Sequence, residues 1–192
     1  MIERDRNDLT AGLDRVQEKL WVLQAQQGDA EAFRLLVNRY ERRLFYYLMR
    51  FQQNPETAAD LLQEVWLTVF RGLKNLRAPE AFRVWLYQIT HDKIVSAIRR
   101  ETRKEQVHES LLEEQPGDEV YADPLLNDAE LVHQALASLS EDHREILTLR
   151  FLEDLSLEEI AEALRCQLGT VKSRLHYAKQ SLRRVIEGKT IK

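Results

Sequence analysis

Residues 156–175 read SLEEIAEALRCQLGTVKSRL, and this stretch decides the fold of the carboxyl-terminal part of the chain. Ser156 and Glu159 form a Ser-x-x-Glu capping box, in which each side chain satisfies a free backbone group at a helix start. A tight turn at 165–168 separates this short helix from a longer basic helix that we predict over 169–186. Short helix, turn and longer helix are the elements of a helix-turn-helix.

The longer helix has a polar face outside its apolar positions. That face consists of Thr170, Lys172, Ser173, Arg174, His176, Tyr177, Lys179 and Arg183. Nearly all of these side chains donate hydrogen bonds, as contacts to base edges and phosphates require. A basic helix face is often only a solvated surface. Here the capping box, the turn and a net charge of +7 over residues 163–192 coincide, and together they favour DNA binding.

Charge is segregated along the chain, although its 28 basic and 32 acidic residues leave a net charge of only −4. Residues 24–104 carry +5, whereas residues 105–130 carry nine acidic side chains and no basic ones. Two basic blocks therefore flank an acidic connector. Such blocks favour an extended polyanion as partner, because each neutralised phosphate releases condensed counterion.

The apolar residues recur with helical periodicity almost throughout the 192 residues. We therefore predict an all-α protein with two small helical domains joined by an acidic flexible linker. The segments are a helical extension at 1–23, a first domain at 24–104, a linker at 105–128 and a second domain at 129–192.

Local signals place several helix ends. Gly28 ends a helix predicted over 9–27, and Asp29 starts the next. Asn54 before Pro55 is a start signal, because asparagine caps the helix and proline at the first position loses no needed hydrogen bond. In the second domain we predict a helix over 129–137 and another after Ser140. The latter is expected to bury Ile146, Leu147, Leu149 and Phe151.

Two surfaces of the first domain mix residue types that bind macromolecules. The third helix, predicted to start at Pro55, carries an apolar stripe at spacings of three and four, formed by Ala58, Leu61, Leu62, Val65, Trp66, Val69, Phe70 and Leu73. On this helix Asp60, Gln63 and Glu64 lie beside large apolar side chains, a mixture typical of a site for a partner helix. Beyond Asn75, aromatic and basic residues alternate, as in proteins that stack unpaired bases and hold their phosphates. The alternative is that Phe82 and Trp85 are buried anchors of a helical bundle, and for Trp85 this alternative is favoured.

No pattern in the sequence indicates catalysis. The five histidines show no metal-ligand spacing, and neither a Gly-rich phosphate loop nor a nucleophile elbow is present. The single cysteine, Cys166, cannot form an internal disulfide, which suits a reducing cytosol. No apolar run approaches the length of a membrane span. We expect a cytoplasmic protein that is not an enzyme, with no cofactor, no metal and no membrane insertion.

Five short motifs, taken in order, resemble one family. They are Gly28-Asp29 with Ala32-Phe33, the heptapeptide at 60–66, Phe82 with Trp85-Leu86-Tyr87, Glu159-Ile160-Ala161, and the heptapeptide at 169–175. Together they resemble the extracytoplasmic-function (ECF) group of sigma-70 family RNA polymerase sigma factors. The resemblance covers about residues 24–186 and implies a transcription initiation factor that directs core RNA polymerase to specific promoters.

The resemblance assigns a role to each block of the chain. It implies docking on the β′ coiled coil of the polymerase by Asp60, Leu61, Gln63, Glu64, Trp66, Leu67 and Phe70. It implies melting and binding of the minus-ten promoter element by Arg77, Phe82, Trp85, Tyr87, His91, Asp92 and Lys93. It implies contacts to the minus-thirty-five element from Thr170, Lys172, Ser173, Arg174, His176, Tyr177 and Lys179.

The resemblance also implies further partners. The outer face of the second domain would meet the β flap of the polymerase, and the acidic linker would thread its nucleic-acid channel. An anti-sigma factor that sequesters both domains is a third implied partner.

Three features depart from the family pattern. Asp92 stands where the family often has asparagine, and Ser96 stands where aspartate is frequent. Arg165 stands where glycine is common in the turn, and a left-handed backbone there costs a residue with a side chain on the order of 1 kcal/mol. Residues 1–23 extend beyond the usual start, with Leu9, Leu13, Val16, Leu20 and Leu23 on one helical face. This extension either lengthens the first helix or covers a partner surface.

Two alternatives stay open at this stage. One is a helix-turn-helix regulator that acts without polymerase and binds its operator as a dimer. The other is a sigma mimic that acts through protein binding alone, an interpretation favoured by the carboxylate of Asp92 in a nucleic-acid site.

Overall fold

The computed structural model describes residues 2–52, 54–108, 135–136 and 138–190, and the regular structure within these ranges is helical. The predicted linker from residue 109 onward and most of the helix predicted over 129–137 lie outside the described residues. The all-α prediction is confirmed for the part of the chain that is described.

Four α-helices make up the amino-terminal part. They are α1 (Ile2–Gln26), α2 (Ala30–Leu48), α3 (Pro55–Gly72) and α4 (Phe82–His108). Two short 3-10 turns, Leu73–Asn75 and Pro79–Ala81, connect α3 to α4. The fourth helix runs past residue 104, where the sequence suggested the linker would begin.

The predicted helix ends of this part are confirmed by their capping geometry. Gly28 has a φ of +97°, the left-handed conformation that glycine adopts without strain at a helix end. Asp29 caps α2 by accepting from the amides of Glu31 and Ala32. Asn54 caps α3 by accepting from the amide of Glu56, and Pro55 takes the first helical position.

After two helical residues at 135–136, three α-helices and one wider turn make up the described carboxyl-terminal part. They are α5 (Glu141–Leu147), a π-helical turn (Thr148–Leu152), α6 (Leu157–Ala163) and α7 (Leu168–Thr190). The capping box of Ser156 and Glu159 is present in both directions. Arg165 has a φ of +50°, so the turn does place a residue with a side chain in the left-handed region.

The buried apolar side chains of both parts form one contiguous cluster. The stripe predicted on α3 supplies Ala58, Leu61, Leu62, Val65 and Val69 to this core. The domains therefore share apolar contacts as well as polar ones.

One core prediction is wrong, and the π-helical turn after α5 explains why. Phe151 was expected inside but is 58% exposed, whereas Ile146, Leu147 and Leu149 are buried as expected. Phe151 lies in the π-helical turn that follows α5, and because this turn has more residues per turn than an α-helix, Phe151 is rotated away from the predicted apolar face.

The amino-terminal extension lengthens the first helix. The opposite side of α1 packs on α2 through buried Val22, while Leu13, Val16, Leu20 and Leu23 are exposed.

Candidate nucleic-acid interface

The recognition helix of the helix-turn-helix, α7, presents most of its predicted face to solvent. Val171, Leu175 and Ala178 anchor it in the core. The exposed members of the predicted face are Lys172, Ser173, His176, Tyr177, Lys179 and Arg183, and the half-buried ones are Thr170 and Arg174. This side of α7 is therefore a continuous surface of hydrogen-bond donors.

Contacts within the second domain orient several of these side chains. Arg174 forms an ion pair of 3.3 Å with Asp142 on α5. The Lys179 ammonium group lies 5.5 Å from the ring centroid of Phe151. His176 shares a hydrogen bond of 3.0 Å with Gln180.

A second exposed surface lies on α3. Leu67 and Phe70 are 53% and 64% exposed, and the ring of Phe70 packs edge-on against Phe33 at 5.3 Å. Around them, Asp60 and Gln63 are exposed and Glu64 and Trp66 are half-buried, whereas Leu61 is buried in the core. An apolar centre with a polar rim is the usual anatomy of a protein interface.

The residues predicted to bind the minus-ten element are not equally accessible. Arg77 is exposed, Trp85, His91, Asp92 and Lys93 are half-buried, and Phe82 and Tyr87 are fully buried. Trp85 lies against Gly72, where a Cβ would come within 2.9 Å of the indole ring. Lys93 forms an ion pair of 2.9 Å with Glu64 of α3.

Glu153 of the second domain reaches into this surface. Its carboxylate accepts a hydrogen bond from the hydroxyl of Tyr87 and lies 3.2 Å from Nε of Arg43. Burial, together with the charge of Glu153, raises the pKa of Tyr87. The phenol therefore stays protonated and remains the donor in this contact.

Glu145 of α5 makes a similar contact beside it. One oxygen, Oε1, accepts from the hydroxyl of Tyr47 at 2.6 Å and lies 2.8 Å from Nδ1 of His91. Both Glu145 and Glu153 are 5% exposed, so their charges are largely withdrawn from water. No sequence pattern indicated these two residues, because periodicity reports which face of a helix is buried and not which distant residue it meets.

Two further ion pairs join the domains. Arg83 of α4 contacts the carboxylate of Glu159 at 3.3 Å, the same carboxylate that completes the capping box. Asp92 lies 2.9 Å from the guanidinium of Arg165 in the turn of the helix-turn-helix. Two of the three departures from the family pattern thus contact each other.

A pH dependence follows from the His91 contact. Burial lowers the pKa of His91, but the hydrogen bond and charge of Glu145, aided by the charge of Asp92, outweigh burial and the opposing charge of Arg165. The net result is a raised pKa in the native state. The contribution of this pair to the free energy of unfolding is therefore complete below about pH 6.5, the ordinary histidine value, and is lost as the pH rises through the native-state pKa.

We expect an NMR titration to show His91 titrating above the ordinary histidine value. Replacing Glu145 with glutamine removes the charge that favours the imidazolium, so Glu145→Gln should lower the pKa of His91. Asp142→Asn, which removes a charge from an exposed position of the same helix, is the control and should leave the raised pKa of His91 unchanged. An unchanged His91 titration in Glu145→Gln would contradict the assigned cause.

An apolar groove of the second domain lies along α7, beside the donor surface. It has a volume of about 480 Å³ and is lined by Leu147, Phe151, Lys179, Leu182, Arg183, Ile186 and Glu187. Phe151 and Ile186 are exposed along it. No sequence pattern indicated this groove, because it depends on the π-helical turn that places Phe151 at the surface.

Among the residues that the structure describes, no group of three or more histidine, cysteine or acidic side chains is arranged to hold a metal ion. Within the same part of the chain, no helix is both long enough and apolar enough to cross a membrane.

The fold and its surfaces define a class of protein, a helical domain with an exposed partner surface linked to a helix-turn-helix DNA-binding domain. Residues 36–104 match the family Sigma-70 region 2, and residues 129–182 match Sigma-70, region 4. The chain is 33% identical over 187 residues to the RNA polymerase sigma-H factor of Pseudomonas aeruginosa, covering 91% of this chain and 96% of that relative. It belongs to the ECF group of sigma-70 family RNA polymerase sigma factors.

A second relative agrees with this assignment, and two solved structures share the fold. The ECF RNA polymerase sigma-E factor of Haemophilus influenzae is 29% identical, with 91% of this chain and 97% of the relative covered. The fold is similar to that of the sigma factor RpoE in complex with the anti-sigma factor NepR from Bartonella quintana. The TM-score is 0.70 at 22% identity, covering 82% of this chain and 98% of that one. It is also similar to CnrH in complex with the cytosolic domain of CnrY, with a TM-score of 0.65 at 22% identity, covering 90% and 98%.

Proposed function

We propose that the chain binds core RNA polymerase and directs it to promoters, melting the minus-ten element with its first domain and reading the minus-thirty-five element with its second. The observation that carries this proposal is the order of two matches, Sigma-70 region 2 and then region 4, on a chain whose α3 and α7 present exposed surfaces. The polymerase carries out the chemistry, so the chain itself is not an enzyme and needs no cofactor. The proposed location is the cytoplasm, where transcription takes place.

The surface on α3 is the proposed docking site for the β′ coiled coil. Leu67 and Phe70 form its apolar centre, with Asp60, Gln63 and Glu64 around them. Trp66 supports the centre from below through an edge-on contact with Phe33 at 6.0 Å. Leu61 contributes by packing in the core, since its side chain is buried.

The proposed minus-ten surface runs from Arg77 to Lys93. Arg77, His91 and Lys93 supply positive or polar groups, and the exposed part of Trp85 supplies an aromatic surface. Phe82 and Tyr87 are buried in this arrangement, so they act on DNA only after the surface rearranges or act through packing alone.

The groove of the second domain is the proposed site for the β flap. Its apolar walls, Leu147, Phe151, Leu182 and Ile186, suit an apolar segment of a partner protein. It lies along α7 beside the donor surface, with Lys179 at the junction of the two.

An anti-sigma factor is a further proposed partner. It is supported by the two solved relatives described above, each of which is held in a complex, one of them with a named anti-sigma factor. The identity of this partner does not follow from the chain.

We expect Lys172, Arg174 and Tyr177 to contribute directly to minus-thirty-five binding. Replacing each with alanine should cost on the order of 1–3 kcal/mol of binding free energy where a base edge is read, and should relax specificity at that position. The measurement is the affinity of the polymerase holoenzyme for promoter duplexes that vary at single positions.

Arg184→Ala is the matched control for this series. Like Lys172→Ala and Arg174→Ala, it removes one positive charge, here from an exposed position further along α7. An equal loss of affinity on every DNA sequence would mean that the three residues contact only phosphates.

Run-off transcription of fragmented genomic DNA tests the proposed function. Bacterial core polymerase with the purified chain should produce transcripts from a few defined starts that are absent without it. Association with core polymerase but no transcripts would favour the sigma mimic. Without association, tight binding of the purified chain to a duplex as a dimer would favour a regulator that acts without polymerase.

A further inference from the structure

The contacts between the two domains involve three of the residues that the first domain would use for the minus-ten element, Tyr87, His91 and Asp92. We propose that in the free chain the second domain caps this part of the minus-ten surface, and that Asp92 with Arg165 forms a latch that holds the cap. The consequence for DNA rests on the proposed function of the first domain. The closure itself rests only on the contacts between the domains.

In the cap, carboxylates of the second domain accept hydrogen bonds from donor groups of the first domain. Glu153 accepts from Tyr87 and pairs with Arg43, and Glu145 accepts from Tyr47 and contacts His91. Guanidinium, imidazole and phenol groups are also the donors that bind phosphates and base edges. The two buried glutamates therefore satisfy groups that would otherwise be available to a nucleic acid.

Because these contacts are buried, a nucleic acid cannot bind the same donors at the same time as the two carboxylates. Tyr87 is fully buried, and the carboxylates that meet it and His91 are each 5% exposed. A base or phosphate cannot reach the same donors while the carboxylates remain, because the space is filled by α5 and the π-helical turn. DNA binding at these residues then requires the domains to separate, and the apparent affinity falls by the fraction of molecules that are open.

The contact between Asp92 and Arg165 has the opposite polarity. Here the first domain supplies the acceptor and the second domain the donor, at 2.9 Å. Arg165 makes this contact from a backbone φ of +50°, which residues with a side chain rarely adopt. Glycine would relieve the backbone strain in this turn but could not form the ion pair with Asp92. We therefore expect the side chain of Arg165 to have a role of its own.

The latch is expected to be modest in strength. Both side chains are partly exposed, 44% for Asp92 and 62% for Arg165, so water and salt screen the pair. Exposed pairs of this kind shift an equilibrium about two- to fivefold. The buried carboxylates supply most of the closure, and the latch adjusts how often the cap opens.

The test compares two readouts on the full-length chain. Small-angle X-ray scattering reports whether the domains separate. Affinity for a labelled, mixed-sequence single-stranded DNA of about 16 nucleotides reports whether the first domain becomes available. Glu153→Lys places a cation against Arg43 and should increase the dimensions of the chain, with circular dichroism verifying that its helices remain.

Arg165→Asp is the diagnostic variant for the latch. It makes the chain more acidic, which by itself weakens DNA binding, yet it should raise the affinity for the oligonucleotide about two- to fivefold by opening the cap. Arg184→Asp makes the same charge change outside the domain contact and should lower the affinity. Combining Asp92→Arg with Arg165→Asp restores an ion pair and should return the dimensions of the chain toward those of the original.

The results separate the cap from the proposed function. If Arg165→Asp weakens binding as much as Arg184→Asp, the latch is overturned. If Glu153→Lys leaves the dimensions unchanged with its helices intact, the cap is overturned. If Glu153→Lys opens the chain but no variant binds single-stranded DNA, the cap is supported and the minus-ten role of the first domain is contradicted.

Discussion

Replacing both Leu67 and Phe70 with serine should lower the affinity of the chain for core RNA polymerase by about 100-fold or more, because truncating one central interface residue typically costs about 2 kcal/mol or more and two such losses add only in part. Both side chains are more than half exposed and contribute little to the core. The free energy of unfolding should therefore change by no more than about 0.5 kcal/mol per substitution. The measurements are a binding titration with purified core polymerase and urea denaturation of the free chain.

The control for this prediction uses apolar residues on another surface. Leu13 and Val16 on α1 are 71% and 68% exposed, and replacing both with serine removes a similar apolar area. This control should bind polymerase like the original chain. Equal losses in the two double variants would mean that any exposed apolar residue matters, and the α3 surface would lose its assignment.

Replacing Phe82 with alanine should lower the free energy of unfolding by about 3–5 kcal/mol, because a buried phenylalanine leaves both lost transfer energy and a cavity. The Phe82 ring is fully buried, with its centroid 5.9 Å from that of Tyr40 and 6.3 Å from that of Trp85. A loss of this size is a large fraction of the stability of a small domain. Urea denaturation followed by tryptophan fluorescence measures it.

Phe82→Leu distinguishes packing from DNA contact at this position. Leucine keeps most of the apolar volume, so the variant should remain folded and should still form open promoter complexes with core polymerase. Loss of open complexes at nearly unchanged stability would show that the aromatic ring itself meets DNA. Phe82 would then belong to the minus-ten surface after the rearrangement that its burial requires.

The helix ends illustrate what could be predicted from local sequence. Asn54 and Pro55, or Ser156 and Glu159, satisfy backbone groups within three residues of themselves. Such contacts form wherever the segment lies in the fold, and for this reason they could be predicted from the amino-acid sequence alone. The apolar stripe on α3 was predictable for a similar reason, since helical spacing fixes which residues share a face.

The candidate sites were predictable in part. The sequence indicated α3 and α7 as surfaces, and the structure leaves Phe70 and Lys172 exposed there. It could not distinguish Phe82 and Tyr87, which are buried, from Arg77, which is exposed. Alternating aromatic and basic residues have the same pattern whether the aromatic rings face DNA or a core.

The sequence by itself determined the helices, their caps, the helix-turn-helix and the family, because these depend on residues that are close together or on motifs in a fixed order. Only the tertiary structure decided that Glu145 and Glu153 are buried against Tyr47 and Tyr87, residues 98 and 66 positions away. In the sequence these glutamates are indistinguishable from ordinary surface charges. Their partners are set by how the two domains pack, and that packing depends on many side chains at once.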